Sequence, residues 1–115
     1  MSAAAEARLD RTFQALGDPT RRAILRRLRR GSATITRLAE PFPISLAAVS
    51  KHVAVLERAG LIRREVAGRE HHCHLEPAPL AEASTFTETY REFWEARLDA
   101  LEDHVRSKRR RSRRT

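Results

Sequence analysis

The chain of 115 residues carries 23 Lys and Arg against 15 Asp and Glu, a formal charge of +8, with 41% hydrophobic residues and a sequence pI near 11.2. That length suits one small core rather than two, and a charged fraction of 33% leaves no run approaching the ~20 apolar residues of a membrane span. The single cysteine, Cys73, excludes an intrachain disulfide and an all-cysteine metal cage within one chain.

Glu6 and Arg8 interrupt the alanine-rich start before an apolar signal core can form, so the reading is cytoplasmic, reduced and without a membrane partner. The basic excess points to an anionic partner. It is unevenly spread: residues 1–75 net +7, residues 76–105 net −6, and residues 106–115 net +7. The acidic stretch is unsuited to binding phosphates. The last ten residues have no apolar side chain, and the expectation is one domain over 1–106 followed by a disordered basic tail over 107–115.

In chain order, Leu9, Phe13 and Leu16 fall at i, i+4 and i+7, the apolar stripe of a helix that Gly17 would close in a left-handed conformation. Asp18-Pro19 restarts the chain, because Asp caps free amides and Pro is tolerated at the first helical position. The second helix turns Ala23, Ile24, Leu25 and Leu28 inward and stops near Gly31. Thr34 caps a short third helix with Ile35, Leu38 and Ala39, ended by Pro41 and Pro43. Ser45 caps a fourth whose apolar stripe is Leu46, Val49, Val53 and Leu56, terminated by Gly60. Two helices joined by a tight turn are a helix-turn-helix arrangement.

Residues 61–67 and 70–75 then read as strands around Gly68-Arg69, a β-hairpin with a type II′ turn. Pro77 and Pro79 open a long last helix with Leu80, Phe86, Tyr90, Phe93, Trp94, Leu98, Leu101 and Val105, a stripe wider than one small domain needs. The fold class is therefore mainly α with a small β-hairpin wing, a winged helix-turn-helix.

At 100° per residue, Ala47, Lys51, Ala54 and Arg58 lie opposite the core face of the fourth helix, with Ser50 on its flank. Small residues let a helix approach the DNA major groove closely, while Ser and Lys donate to bases or phosphates. Arg69 at the wing tip would lie along phosphates or in the minor groove.

The stretches Ala15-Leu16-Gly17-Asp18-Pro19-Thr20-Arg21-Arg22-Ala23-Ile24-Leu25 and Ile44–Leu61 resemble the two signature segments of ArsR-type bacterial transcriptional regulators, the likeness running from about Leu9 to Leu101. The resemblance implies a homodimeric repressor on a palindromic operator, its own promoter being one candidate target, with a recognition helix at 45–59. Carried over residue by residue, it points to Ser45, Ala47, Ser50 and Lys51 on that helix and Arg69 on the wing as DNA contacts. It also implies dimerisation through the first and last helices, by Leu9, Phe13, Tyr90, Trp94, Leu98 and Leu101, which accounts for the wide stripe. His52 matches a common family residue, with two readings: a half-buried structural imidazole or a phosphate contact.

Many relatives hold an inducing metal through Cys-x-Cys in the third helix or spaced Asp and His on the last one. Here residues 36–42 contain neither Cys nor His, and the last helix offers only Asp103-His104. The remaining candidate is His71-His72-Cys73-His74, but on a strand alternate side chains face apart, leaving two ligands per face. The expectation is no metal and no cofactor, with a metal- or redox-responsive derepressor using this cluster as one alternative. A nonspecific architectural protein, bound through the tail, is the other. The effector is not identified, and no acid–base pair or activated nucleophile suggests an enzyme.

Overall fold

The computed structural model describes residues 2–114. Helices α1 (Ala3–Leu16) and α2 (Pro19–Leu28) precede strand β1 (Ala33–Thr34), helices α3 (Ile35–Ala39) and α4 (Leu46–Arg58), strands β2 (Ile62–Ala67) and β3 (Glu70–Leu75), and helices α5 (Ala78–Glu88) and α6 (Arg91–Arg114). The chain forms two compact units, one up to Ala83 and one from Ser84. The cause is the distribution of core residues: every residue from Ser84 to Ser112 is exposed.

Local chemistry starts helices α1 to α4. The side chains of Ser2, Asp18, Thr34 and Ser45 each accept from the backbone amide three residues on, at 3.0 to 3.2 Å, satisfying donors that a helix start leaves unpaired. At the far end of α4, Gly60 takes a φ of 76°. The amide of Leu61 then reaches Leu56 O and that of Gly60 reaches Glu57 O, at 3.0 and 2.9 Å. This is the Schellman arrangement, with Leu56 and Leu61 both buried as its apolar clasp.

The end of α1 departs from expectation. Gly17 has φ −75° and is not left-handed. The terminal carbonyls are satisfied from α2 instead: Arg21 donates through Nε to Ala15 O at 2.8 Å and through Nη2 to Gln14 O at 2.9 Å. Arg22 Nη1 donates to Leu16 O at 2.7 Å. The buried face of α1 also differs, being Leu9, Thr12 and Ala15, while Phe13 is 41% exposed and Leu16 only partly buried. Thr12 tolerates burial because its hydroxyl donates to Arg8 O at 3.0 Å, and two small residues allow a closer approach than Phe13 would.

Ile24, Leu25 and Leu28 of α2, Ile35 and Leu38 of α3, and Val49, Val53 and Leu56 of α4 form the core with Leu61, Ile62 and Cys73. Leu46, expected in that stripe, is 51% exposed because it stands at the first position of α4, beyond the packed turns. The hairpin is as read: β2 and β3 pair from Ile62↔Leu75 to Ala67↔Glu70, and Gly68 alone in the turn has positive φ, 63°. The structure adds β1 to the other side of β3, giving the antiparallel order β1-β3-β2 with Ala33 opposite Cys73. Two residues are too few to show alternation.

The expected long last helix is two. Thr87 and Thr89 turn their hydroxyls onto the carbonyls of Ser84 and Phe86 at 3.0 and 2.8 Å, competing with continued helix at the end of α5. Helix α6 then runs through Arg114, so the stretch 107–114, expected as a flexible tail, is helical; Thr115 lies outside the described residues. Arg and Lys are good helix formers, and Arg106 pairs with Glu102 one turn back at 2.6 Å.

The Arg21 fork generates a stability prediction. Arg21→Ala should lose about 2 kcal/mol and lower Tm by roughly 10 °C, with Arg21→Lys recovering less than half, since a point charge does not span the same acceptors. Thermal melts followed by circular dichroism check this; an Arg21→Ala variant melting with the parent would contradict it.

Candidate nucleic-acid interface

Helix α4 shows two faces. Val49, Val53 and Leu56 are buried, while Ser45, Ala47, Lys51 and Arg58 are exposed, Ser50 and Ala54 being half-buried between them. Ser45 is committed as the cap through its oxygen, leaving its hydroxyl proton free to donate. The outward surface is small and cationic at its centre, as the helical wheel predicts.

Between α4 and the wing runs an open cleft of roughly 580 Å3. Ser50 from α4 and Arg69 from the hairpin turn line it together, so the structure brings these two predicted contacts onto one concave surface. Ala47 and Lys51 are not among its lining residues. Reading the sequence missed Thr36 and Arg37 of α3, Arg64 of β2 and His71 of β3, all of which line the cleft. The first two occupy the opening turn of the helix before the recognition helix, a position that signals backbone contact in helix-turn-helix proteins. Nothing local marks Arg64, whose placement follows from strand register.

His52 is settled by its neighbours. Its Nδ1 lies 3.2 Å from Arg21 Nη1 and 3.8 Å from Asp18 Oδ2, with the side chain 24% exposed. Because guanidinium only donates, this geometry uses Nδ1 as the acceptor. His52 is thus the half-buried structural imidazole, tying α4 to the start of α2. The Arg21 amide, hydrogen-bonded to Asp18, holds that carboxyl below the usual carboxylate range.

These features match known proteins. A helix-turn-helix domain model matches residues 16–65. The chain is 43% identical over 76 residues to the HTH-type transcriptional regulator Rv2034 of Mycobacterium tuberculosis, covering 66% of this chain and 71% of that protein. Over 54 residues, 47% of this chain and 60% of its relative, it is 41% identical to the transcriptional repressor SdpR of Bacillus subtilis. The crystal structure of the ArsR family transcriptional regulator RHA00566 superposes with a TM-score of 0.73 at 42% identity, over 78% of this chain and 93% of that one. The chain belongs to the ArsR family of transcriptional regulators.

As an ArsR-family member it is a winged helix-turn-helix DNA-binding regulator. Its His and Cys cluster is dispersed by strand pleating. His72 Nε2 faces Glu70 Oε2 and His74 Nε2 faces Glu65 Oε2, each at 3.0 Å. On the other face, His71 Nδ1 lies 3.4 Å from Arg64 Nη1, and Cys73 is wholly buried in the core, where burial pushes its thiol pKa up. Among the described residues no three or more His, Cys, Asp or Glu gather as a metal-binding group. Nor is any described helix long and apolar enough to cross a membrane.

The predicted dimer residues divide. Leu9 is 6% exposed and so buried already in the single chain. Tyr90, Trp94, Leu98 and Leu101 are 54%, 62%, 52% and 59% exposed, and Phe13 is exposed on the first unit.

Cys73 yields a test of the redox alternative. In the native protein at pH 8, Ellman's reagent should label it at least about 100-fold more slowly than in concentrated urea, because reaction requires both exposure and thiolate. Rapid stoichiometric labelling of the folded chain would reopen a thiol switch.

Proposed function

We propose that this regulator acts as a cytoplasmic homodimeric repressor, reading a palindromic operator with α4 and gripping adjacent phosphates with the wing. The observation that carries the reading is the face of α4 with exposed Ala47 and Lys51 and half-buried Ser50, beside a cleft that Arg69 lines. Ala47 allows close approach, Ser50 and Lys51 supply donors for base edges or phosphates, and Ser45 adds a hydroxyl at the end of the helix nearest the bases. Arg69 has the fork geometry that suits phosphate or a narrow minor groove. This division assigns sequence choice to α4 and affinity to the arginines, and it leaves no part for an enzymatic group.

The dimer reading rests on the second unit. A helix whose apolar residues are all exposed in the single chain loses hydrophobic free energy until another surface covers them. A second copy meets that need symmetrically, and twofold symmetry matches an inverted repeat in DNA. Phe13, exposed on α1, is proposed as a further contact with the second copy, and Leu9 of the same helix is already buried in the single chain.

Gel-shift titrations against excess nonspecific duplex test the DNA reading. Lys51→Ala should weaken specific binding about 10-fold, within the 1–3 kcal/mol of a base-reading contact, and Ala47→Glu should abolish it. Binding that disappears under competitor already in the parent, or that is unmoved by either substitution, would favour a nonspecific coating protein. Separately, Trp94→Glu should sediment as a monomer and lose repression; a stable, repressing dimer would overturn the interface.

A further inference from the structure

The cleft contains a cation whose bonding is unfinished. Arg64 extends from β2, opposite Cys73 on β3, with its side chain only 21% exposed. Nη1 lies 3.4 Å from His71 Nδ1. Nε lies 3.5 Å from Glu57 Oε2 of α4, an ion-pair distance, yet it is fully buried and has no hydrogen-bond acceptor among the described residues. A buried donor without an acceptor is unfavourable, and native structures usually contain such a group for a reason. Glu57 is itself 41% exposed, so its hold on Arg64 is screened by water.

Duplex geometry offers an acceptor to the guanidinium once it turns outward into the cleft. When a recognition helix enters the major groove and a hairpin reaches the neighbouring minor groove, the ridge between the grooves is one sugar–phosphate strand. Residues lining the gap between helix and hairpin therefore face phosphates rather than bases. Arg64 lines that gap together with Thr36, Arg37, Ser50, Arg69 and His71. Planar guanidinium matches phosphate oxygens through two parallel N–H donors, which Glu57 at its present distance does not engage.

Accordingly, and resting on the reading of this face as the DNA-binding one, we propose that Arg64 is a phosphate-binding residue that DNA takes over from Glu57. In the free protein the guanidinium is parked between α4 and β3. In the complex it contacts the backbone strand crossing the cleft, and Glu57 is released to solvent. Arg64 thereby couples the wing to the recognition helix, and Glu57 acts as a built-in competitor that sets how tightly any duplex is held.

The probe is a labelled 30-base-pair duplex of arbitrary sequence, titrated with the full chain from 50 to 200 mM KCl. Arg64→Gln should weaken binding about fivefold and reduce the salt slope by about 1, the release associated with one phosphate contact. Glu57→Gln should strengthen binding about threefold in the parent and leave the Arg64→Gln variant unchanged, a coupling that a double-mutant cycle isolates. An unchanged salt slope, or an equal Glu57→Gln effect in both backgrounds, overturns the proposal. Should Arg64→Gln not fold, Glu57→Gln is compared with Glu40→Gln, which removes the same charge from the cleft wall. A larger gain at Glu57 supports the takeover and equal gains overturn it. Lys51→Ala and Arg69→Ala in the same assay separate the two levels: if they weaken binding and Arg64→Gln does not, only this inference fails. If none of the three changes binding, the assignment of the face itself fails.

Discussion

The guanidinium of Arg21 holds together the part of the molecule on which the DNA-binding face depends. It closes the end of α1 through Gln14 O and Ala15 O and meets His52 on the inner side of α4, while its own amide is bound by the Asp18 cap. Three helices are thus referenced to one planar group, whose fork of donors fixes angles as well as distances. A recognition helix needs that: on the proposed reading, a small rotation of α4 would move Ala47 and Ser50 relative to the groove. His52, with its Nδ1 directed at Arg21, is better understood as the anchor of α4 than as a reader of DNA.

Features decided within a few residues could be read from the chain alone. The caps Asp18, Thr34 and Ser45, the left-handed Gly60 and the hairpin turn at Gly68 all behave as their local chemistry dictates. What escaped reading depends on distant partners. Gly17 looked like a left-handed terminator, but guanidinium groups from α2 satisfy the carbonyls that such a turn would otherwise serve. Phe13 and Leu16 made the better stripe on paper, yet packing selected Thr12 and Ala15, because a helix surface is chosen by what it must fit against. Of the site, Ser50 and Arg69 were legible as a helix flank and a turn tip. Arg64 was not, since its burial depends on the pairing of β2 with β3 and on Glu57 in another element.

Charge is partitioned in the same way. The first 75 residues carry a net +7 and form the DNA-binding architecture, whereas residues 76–105 carry −6 and include the exposed apolar residues of α6. Anionic DNA is drawn to the former and repelled by the latter, which agrees with the proposal that the first part reads DNA and the second associates. The remaining +7, over 106–115, continues α6 as helix through Arg114. A bare count of +8 hides this arrangement.

On the proposed reading, two copies present their α4 helices to DNA with twofold symmetry. Selection of bound duplexes from a random-sequence pool tests it most directly. Twofold symmetry should enrich an inverted repeat whose half-sites are centred about one helical turn apart, roughly 10 base pairs, or a multiple of that spacing. Recovery of a pool with no consensus, or of a single asymmetric half-site at full affinity, would contradict it.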